Sequence, residues 1–478
     1  MFNDIREFIA KSEEVGEVKR VDGADWKFEI GLITEVEAGL PSPRLLLFDN
    51  IKGYLSGYRV ASNIFTSDRR VAMAFGLSEK LTGMGLVRAI KERLGKGVDG
   101  IPPVEVKAGP VMENVSSGSD VDIMKFPTPW WRPGDGGRYI GTQAVTITRD
   151  PDEGWVNMAS QRVQVHDRNT ATIFMARGHH GDMMRRKYWA RGKSCPVVVT
   201  FGQEPLVFGC ADWTLPWGVP ELDFAGGLKG APIEVVRGIT TDLPIPATAE
   251  IVFEGELLPP EAGTVLEGPF GEWAGYYAGG RRPEPVFRVN TVLHRNRPII
   301  QGTLAMVHPK FWTLGRHLWR SALVWSELER QVPGVQGVWV VGEGGANSIV
   351  AASIKQEYAG HAKQTLQLLN ALQATSLHMR YCIVVDEDID PSNLSELLWA
   401  VATRTNPIES IDIATHTRCS ETNPMMSPEK REKGDMTHST AQIIACRPWH
   451  WRDKFPKATK SDPKELKEIR EKWSQLWD

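Results

Sequence analysis

Two glutamates five residues apart, Glu267 and Glu272, flank a Gly-Pro-Phe-Gly turn. Carboxyl groups clustered near an arginine have their proton affinities set apart, so one stays ionised while the other becomes a proton donor. Arg162 can serve as that arginine; it lies in a β-like run that also carries Asn157, five residues earlier. His179 and His180 stand just before a helical pattern over 182–191, whose exposed backbone N–H groups could receive an anion. Glu221 follows in a Val-Pro-Glu-Leu-Asp segment. An Asn oxygen, a His nitrogen and a Glu oxygen suit Mn²⁺ or Mg²⁺ when a phosphate completes the shell. Taken singly, each has an ordinary reading: a lone glutamate is a solvated charge, and a histidine pair before a helix is a cap.

Other motifs carry less. Gly83-Met-Gly85 and the run Gly342-Glu-Gly-Gly345 lack the full GxGxxG register of a dinucleotide loop. The glycines of Gly134-Asp-Gly-Gly137 read as a tight turn entering a strand at 138–140, with glycine supplying positive φ. No Walker motif, GxSxG elbow or HExxH is present, so hydrolase and kinase chemistry lose their usual support.

The elements that must position these groups fall into stretches of different pattern. The 478 residues are 41% apolar and 24% charged, ordinary for a folded protein, and the net charge of −3 offers no basic field for a nucleic acid. No apolar run is long enough for a membrane span, and the acidic, amphipathic start reads as a helix rather than an export signal. Five scattered cysteines without a CxxC pair suit reduced thiols in a cytoplasm.

Residues 1–115 alternate helical patterns with short apolar runs, an α/β module. Small polar residues over 109–122 read as a linker. Residues 116–315 hold many β-rich runs between Gly and Pro, the density of a barrel or sandwich. Residues 316–450 return to βαβ logic, with strands expected to be buried on both faces and helices at 363–374 and from Asp390-Pro391 to about Arg404. In the last stretch, 451–478, Asp462-Pro463 opens an amphipathic helix with Leu466, Ile469, Trp473 and Leu476 on one stripe.

Several long segments then fall in one order: DGGRYIGT at 135–142, FAGGLKG at 224–230, PATAEIVFEG at 246–255, EGPFGEWAGYY at 267–277, KQEYAGHAK at 355–363 and LWAVATR at 398–404. With the opening MFNDIREFI and LLFDNIKGY at 46–54, they resemble the UbiD family of decarboxylases, which use prenylated FMN. The resemblance implies an N-terminal α/β part, a split β-barrel that binds the flavin and a C-terminal α/β domain. It places metal ligands on Asn157, His180 (preferred over His179) and Glu221, and the catalytic network on Arg162, Glu267 and Glu272. Mn²⁺ would bridge the protein to the cofactor phosphate, with K⁺ nearby, and Lys433 would be a phosphate-binding lysine. The implied activity is reversible decarboxylation of an aromatic or α,β-unsaturated acid through a covalent adduct with the prenylated flavin.

The implied partners are a UbiX-like flavin prenyltransferase, as cofactor supplier, and a second copy of the chain in a homodimer or higher oligomer. Two other classes stay open: a flavin oxidoreductase on a split barrel, and a non-catalytic subunit of a multi-component carboxylase. The segment Gly302–Gly315 departs from the acidic, proline-rich pattern of many relatives, and its Met306, His308, Phe311 and Trp312 are expected to shape the acid pocket.

Overall fold

The structure is a computed structural model that describes residues 1–478 except Val98, 307–314, 343–346, Lys460 and Asp478. The expectations for His308, Phe311 and Trp312 lie outside the described residues.

The chain opens on the helix Ile5–Glu14, capped by Asp4, whose side chain accepts from the Glu7 amide. Ile5, Phe8 and Ile9 face inward, and Phe2 packs edge-on to Phe8 at 5.2 Å. The apolar run Leu45–Asp49 forms a strand between Val18–Asp22 and Arg59–Ser62. A fourth strand of this sheet, Ile299–Gln301, comes from the far end of the 116–315 stretch and runs parallel to Arg59–Ser62. The segment read as a linker is built instead: Asn114–Ser117 pairs with the long strand Arg282–His294, its residues alternating half-buried and exposed.

The centre is a ten-stranded sheet in which every pair is antiparallel. Strand Val156–Ser160 ends one side of the strand order, and Val163–Val165 lies next to the other end. Only Gln161 and Arg162 join them, a link of at most about 11 Å at full extension. The sheet must therefore curl until its two ends meet at Arg162, leaving a split rather than a continuous ladder there. Topology alone thus carries Arg162 to the seam.

The glycines at 134–137 have a different purpose from the one expected. None of the three has positive φ. Gly136 is needed for space: a Cβ there would lie 1.8 Å from the Gly268 carbonyl oxygen, and the Gly136 amide donates to Pro269 at 2.6 Å. The turn clasps the loop that carries both glutamates.

The C-terminal region has five strands, with Ile349–Ile354, Tyr381–Asp386 and Thr437–Ala445 running parallel in the middle. The crossover helix His361–Ala371 joins the first two, as βαβ logic requires. Strand Ile411–Arg418 is an antiparallel edge, mostly exposed, so the expectation of strands buried on both faces fails there. Helix Leu394–Arg404 starts later than expected. Asn393 caps it, accepting from Ser395 and Glu396, while Asp390 closes a turn on Ser392. Among the described residues no helix is long and apolar enough to cross a membrane. All five cysteines are free and buried.

Candidate active site

Arg162 sits at the seam, 8% exposed, between two carboxylates. Its Nε and Nη2 donate to the two oxygens of Glu267 at 2.8 and 3.1 Å, and Nη1 donates to Glu272 at 2.5 Å. A guanidinium has five N–H donors, so two remain for a ligand. The face of Arg162 lies 4.0 Å from the Phe174 ring centroid, and Arg282 lies over the same ring at 4.0 Å. The charged pair is thus clamped by an aromatic side chain as well as by acids.

Each carboxylate is held by its own element. Glu267 ends strand Thr264–Glu267 and also accepts from the Tyr139 hydroxyl at 3.0 Å. Glu272 lies in the loop beyond, which is pinned by Gly268 N–H to Gln164 at 3.1 Å and by Gly271 N–H to Asp135 at 3.2 Å. Burial pushes both acids up. At Glu267 the Arg162 guanidinium, Arg282 and Tyr139 outweigh it and hold the carboxyl below its ordinary value. At Glu272 burial wins over Arg162 and Arg282, and the proton is held more tightly than usual. Two acids sharing one arginine thus have their proton affinities shifted in opposite directions.

A cavity of about 250 Å³ opens in front of this cluster, and Arg162 and Glu272 line it while Glu267 stands behind. Asn157, His179, His180 and Glu221 line it as well. Asn157 is on strand Val156–Ser160, and Glu221 begins the helix Glu221–Lys229, which packs on that strand. His180 begins the helix His180–Trp189, with its ring edge-on to Trp155 at 5.6 Å and to Trp217 at 5.2 Å. His179 is the N-cap residue of that helix, and its Nε2 is buried without a partner. Burial and then Arg418 push His179 down to about 4, and the same two causes lower His180, so both rings are neutral.

Glu221 has no cationic partner among the described residues. Its Oε2 accepts the Met158 amide at 2.7 Å, and burial pushes the carboxyl up to about 8. A carboxyl, an imidazole and an amide oxygen lining one cavity are a donor set whose chemistry suits a divalent cation once the acid gives up its proton. Among the described residues no cluster of three His, Cys, Asp or Glu side chains is assembled for a metal, so any such site must include Asn157.

Lys433 falls elsewhere: it is exposed at the end of helix Pro428–Lys433 and does not line the cavity. The cavity cation from this part of the chain is Arg418, which donates to the Gly178 carbonyl at 2.6 Å just before the histidine pair. Sequence reading also passed over Tyr139, Phe174 and Arg282. Tyr139 lies inside the DGGRYIGT segment, and Arg282 faces Glu267 in the hairpin register, which is a signal that strand pairing could have supplied.

A curled antiparallel sheet thus holds one buried arginine between two carboxyls of opposite proton-affinity shift, at the wall of a cavity. Three family models match the chain in order: the N-terminal domain of 3-octaprenyl-4-hydroxybenzoate carboxy-lyase at 9–90, its Rift-related domain at 103–308 and its C-terminal domain at 314–443. The chain belongs to the UbiD family of decarboxylases. It is 31% identical over 451 residues to the pyrrole-2-carboxylic acid decarboxylase of Pseudomonas aeruginosa, covering 90% of this chain and 89% of that one. Among solved structures it resembles the closed form of vanillic acid decarboxylase from Sedimentibacter hydroxybenzoicus. The TM-score is 0.87 at 27% identity, over 100% of this chain and 99% of that one. It also resembles an evolved dimeric form of HmfF from Pelotomaculum thermopropionicum in complex with prFMN. There the TM-score is 0.79 at 28% identity, over 98% of each chain.

Proposed function

We propose that the enzyme reversibly decarboxylates an aromatic or α,β-unsaturated carboxylic acid with prenylated FMN. The observation that carries this reading is the separation of Glu267 and Glu272 around one buried arginine. The two free N–H donors of Arg162 hold the substrate carboxylate in the cavity. Glu267 keeps the guanidinium in place and stays ionised. As CO₂ leaves, the carbon that bore it needs a proton, and Glu272 is the acid that faces the cavity and carries one. In the reverse direction the same group removes the proton.

When bound, the prenylated flavin supplies the electron sink that no side chain can offer a carbanion equivalent. Asn157, His180 and Glu221 would hold Mn²⁺ or Mg²⁺ against its phosphate, and K⁺ would lie nearby. The packing of His180 against Trp155, two residues before Asn157, favours it over His179 as the ligand. Arg418 takes the role that Lys433 was expected to play. We further propose a UbiX-like prenyltransferase as supplier of the cofactor, a cytoplasmic setting, and a homodimer in which the uncovered terminal stripe seats on a second copy.

The test is co-expression with a flavin prenyltransferase, mass and absorption of the bound cofactor, and CO₂ release across a panel of acids. Release of CO₂ only from the prenylated form is expected. Unmodified flavin with nicotinamide oxidation would instead identify an oxidoreductase, and cofactor binding without turnover a non-catalytic subunit.

A further inference from the structure

Helix Arg316–Glu329 brings two arginines, one turn apart, to the cavity wall. Their surroundings differ. Arg316 is neutralised, its Nε donating to Asp212 Oδ2 at 2.7 Å and its Nη2 to Oδ1. Arg320 is 8% exposed and makes no hydrogen bond or ion pair among the described residues. None of its nitrogens is sealed inside protein without a partner, so the guanidinium opens on the cavity. Burial and the Arg316 charge lower its proton affinity to about 10, with Asp212 opposing them, and it remains a cation at neutral pH. Two guanidiniums and one carboxylate leave this corner with an uncompensated positive charge, which is costly to bury without a counter-ion.

The position of that charge distinguishes it from the other cavity cations. Arg162 is held by two acids. Arg418 presses on the His179–His180 pair, at the end expected to take the cofactor phosphate. Arg320 lines the same cavity as Glu272, and it bears on the buried ring of His378 more strongly than Arg316, His179 or His438 do. His378 packs edge-on to Trp273 at 4.5 Å, and Trp273 follows Glu272 directly. Arg320 therefore belongs to the wall near the proton carrier, where the substrate would lie.

We propose that Arg320 is a subsite for a second anionic group on the acid, making doubly anionic acids the preferred substrates. This rests on the decarboxylase reading. One carboxylate is held at Arg162 and leaves: its bond to carbon breaks, CO₂ departs, and the carbon takes the proton of Glu272. The second carboxylate stays at Arg320 throughout, and the product is a monocarboxylate.

The shared chemistry is an oxyanion, and the experiment separates its two sources, substrate and cofactor phosphate. Flavin-loaded enzyme is titrated by calorimetry with matched pairs of aromatic and α,β-unsaturated acids, each with one or two carboxylates. Wild type is expected to bind the dicarboxylic member of at least one pair about 10-fold more tightly or better. Arg320→Met and Arg320→Gln are expected to bring that ratio near one while retaining flavin. Equal affinities within every pair in the wild type would overturn the proposal, even if neither variant folds. Flavin loss from folded Arg320 variants would overturn it too, by assigning the arginine to the phosphate. Because binding is read without turnover, a clear dicarboxylate preference with no CO₂ release from any acid would sink the decarboxylase reading and leave the anion subsite standing.

Discussion

The two ends of the cavity are built on opposite electrical plans. Around Arg162 the charges answer one another within the protein: two guanidiniums, Arg162 and Arg282, two carboxyls, and a hydrogen bond from Tyr139 to Glu267. Around Glu221 no charge answers it among the described residues: the buried carboxyl accepts only backbone amides, and burial raises its proton affinity to about 8. A closed cluster needs nothing from outside and can use its internal imbalance to hold or release a proton. An open cluster is incomplete until a cation arrives. On the proposed reading, the first end handles the substrate and its proton, and the second holds the metal and the cofactor phosphate.

The strongest way to break that contrast is at Glu272. Glu272→Gln keeps the shape and removes the transferable proton, so turnover is expected to fall by about 10²–10⁴-fold, the usual worth of a positioned acid. Flavin content should be unchanged. Full turnover with the cofactor verified by mass would remove Glu272 from the mechanism.

At the open end, Glu221→Ala should lose metal and weaken flavin retention by about 10–100-fold or more, since even outer-shell partners of a metal are worth that much. Metal content after dialysis and flavin per subunit are the readouts. Undiminished metal would contradict the assignment of this end as a binding site. Arg418→Met should weaken flavin retention too, whereas Lys433→Met should not.

The pH dependence sharpens the comparison further. Decarboxylation needs Glu272 protonated, and its proton affinity is raised, so the alkaline limb of the rate profile should lie above 4.5, the ordinary glutamate value. It also needs Glu267 ionised, and its affinity is lowered, so the acid limb should lie below 4.5. The rate should fall about tenfold per pH unit beyond each limb. Replacing Glu267 by Gln should lower the rate throughout, remove the acid limb, and move the alkaline limb down, because the Glu267 charge helps to raise Glu272. An alkaline limb that persists in Glu272→Gln would place the proton carrier elsewhere.

The sequence was most legible where chemistry and local pattern coincide. Glu267 and Glu272 share one turn, and Asp462-Pro463 does cap a helix, Pro463–Lys472. It was least legible where partners meet only through the curl of the sheet. Tyr139 reaches Glu267 across 128 positions, and no spacing rule spans that gap. Arg320 escaped notice because its importance is a missing partner, which only a folded structure can reveal. Lys433 went wrong for a related reason: a basic residue in a charged helix looks the same whether its side chain meets solvent or a phosphate. Asn393 displaced Asp390 as a cap because both residue types suit the position, and Glu396 draws the Asp390 amide into the preceding turn.

The smallest expected effect concerns the terminal helix, where the apolar stripe read from spacing is present and uncovered. Leu466, Ile469, Trp473 and Trp477 are 56, 51, 45 and 56% exposed, so the chain does not bury them on itself. Fully burying such side chains is worth roughly 1.5–3 kcal/mol each, which makes their exposure in a lone subunit unfavourable. The C-terminal region offers other exposed apolar residues, Leu398, Ile408 and Ile413, at 65, 92 and 60%. A stripe and apolar residues on one chain, exchanged between two copies, make the reciprocal contact that a two-fold dimer requires. Deleting 460–478 is therefore expected to shift the enzyme toward monomer in light scattering, with flavin binding and fold retained, because the stripe touches neither end of the cavity. A truncated protein of unchanged oligomeric mass would show that the subunits, if they pair, do so through another surface.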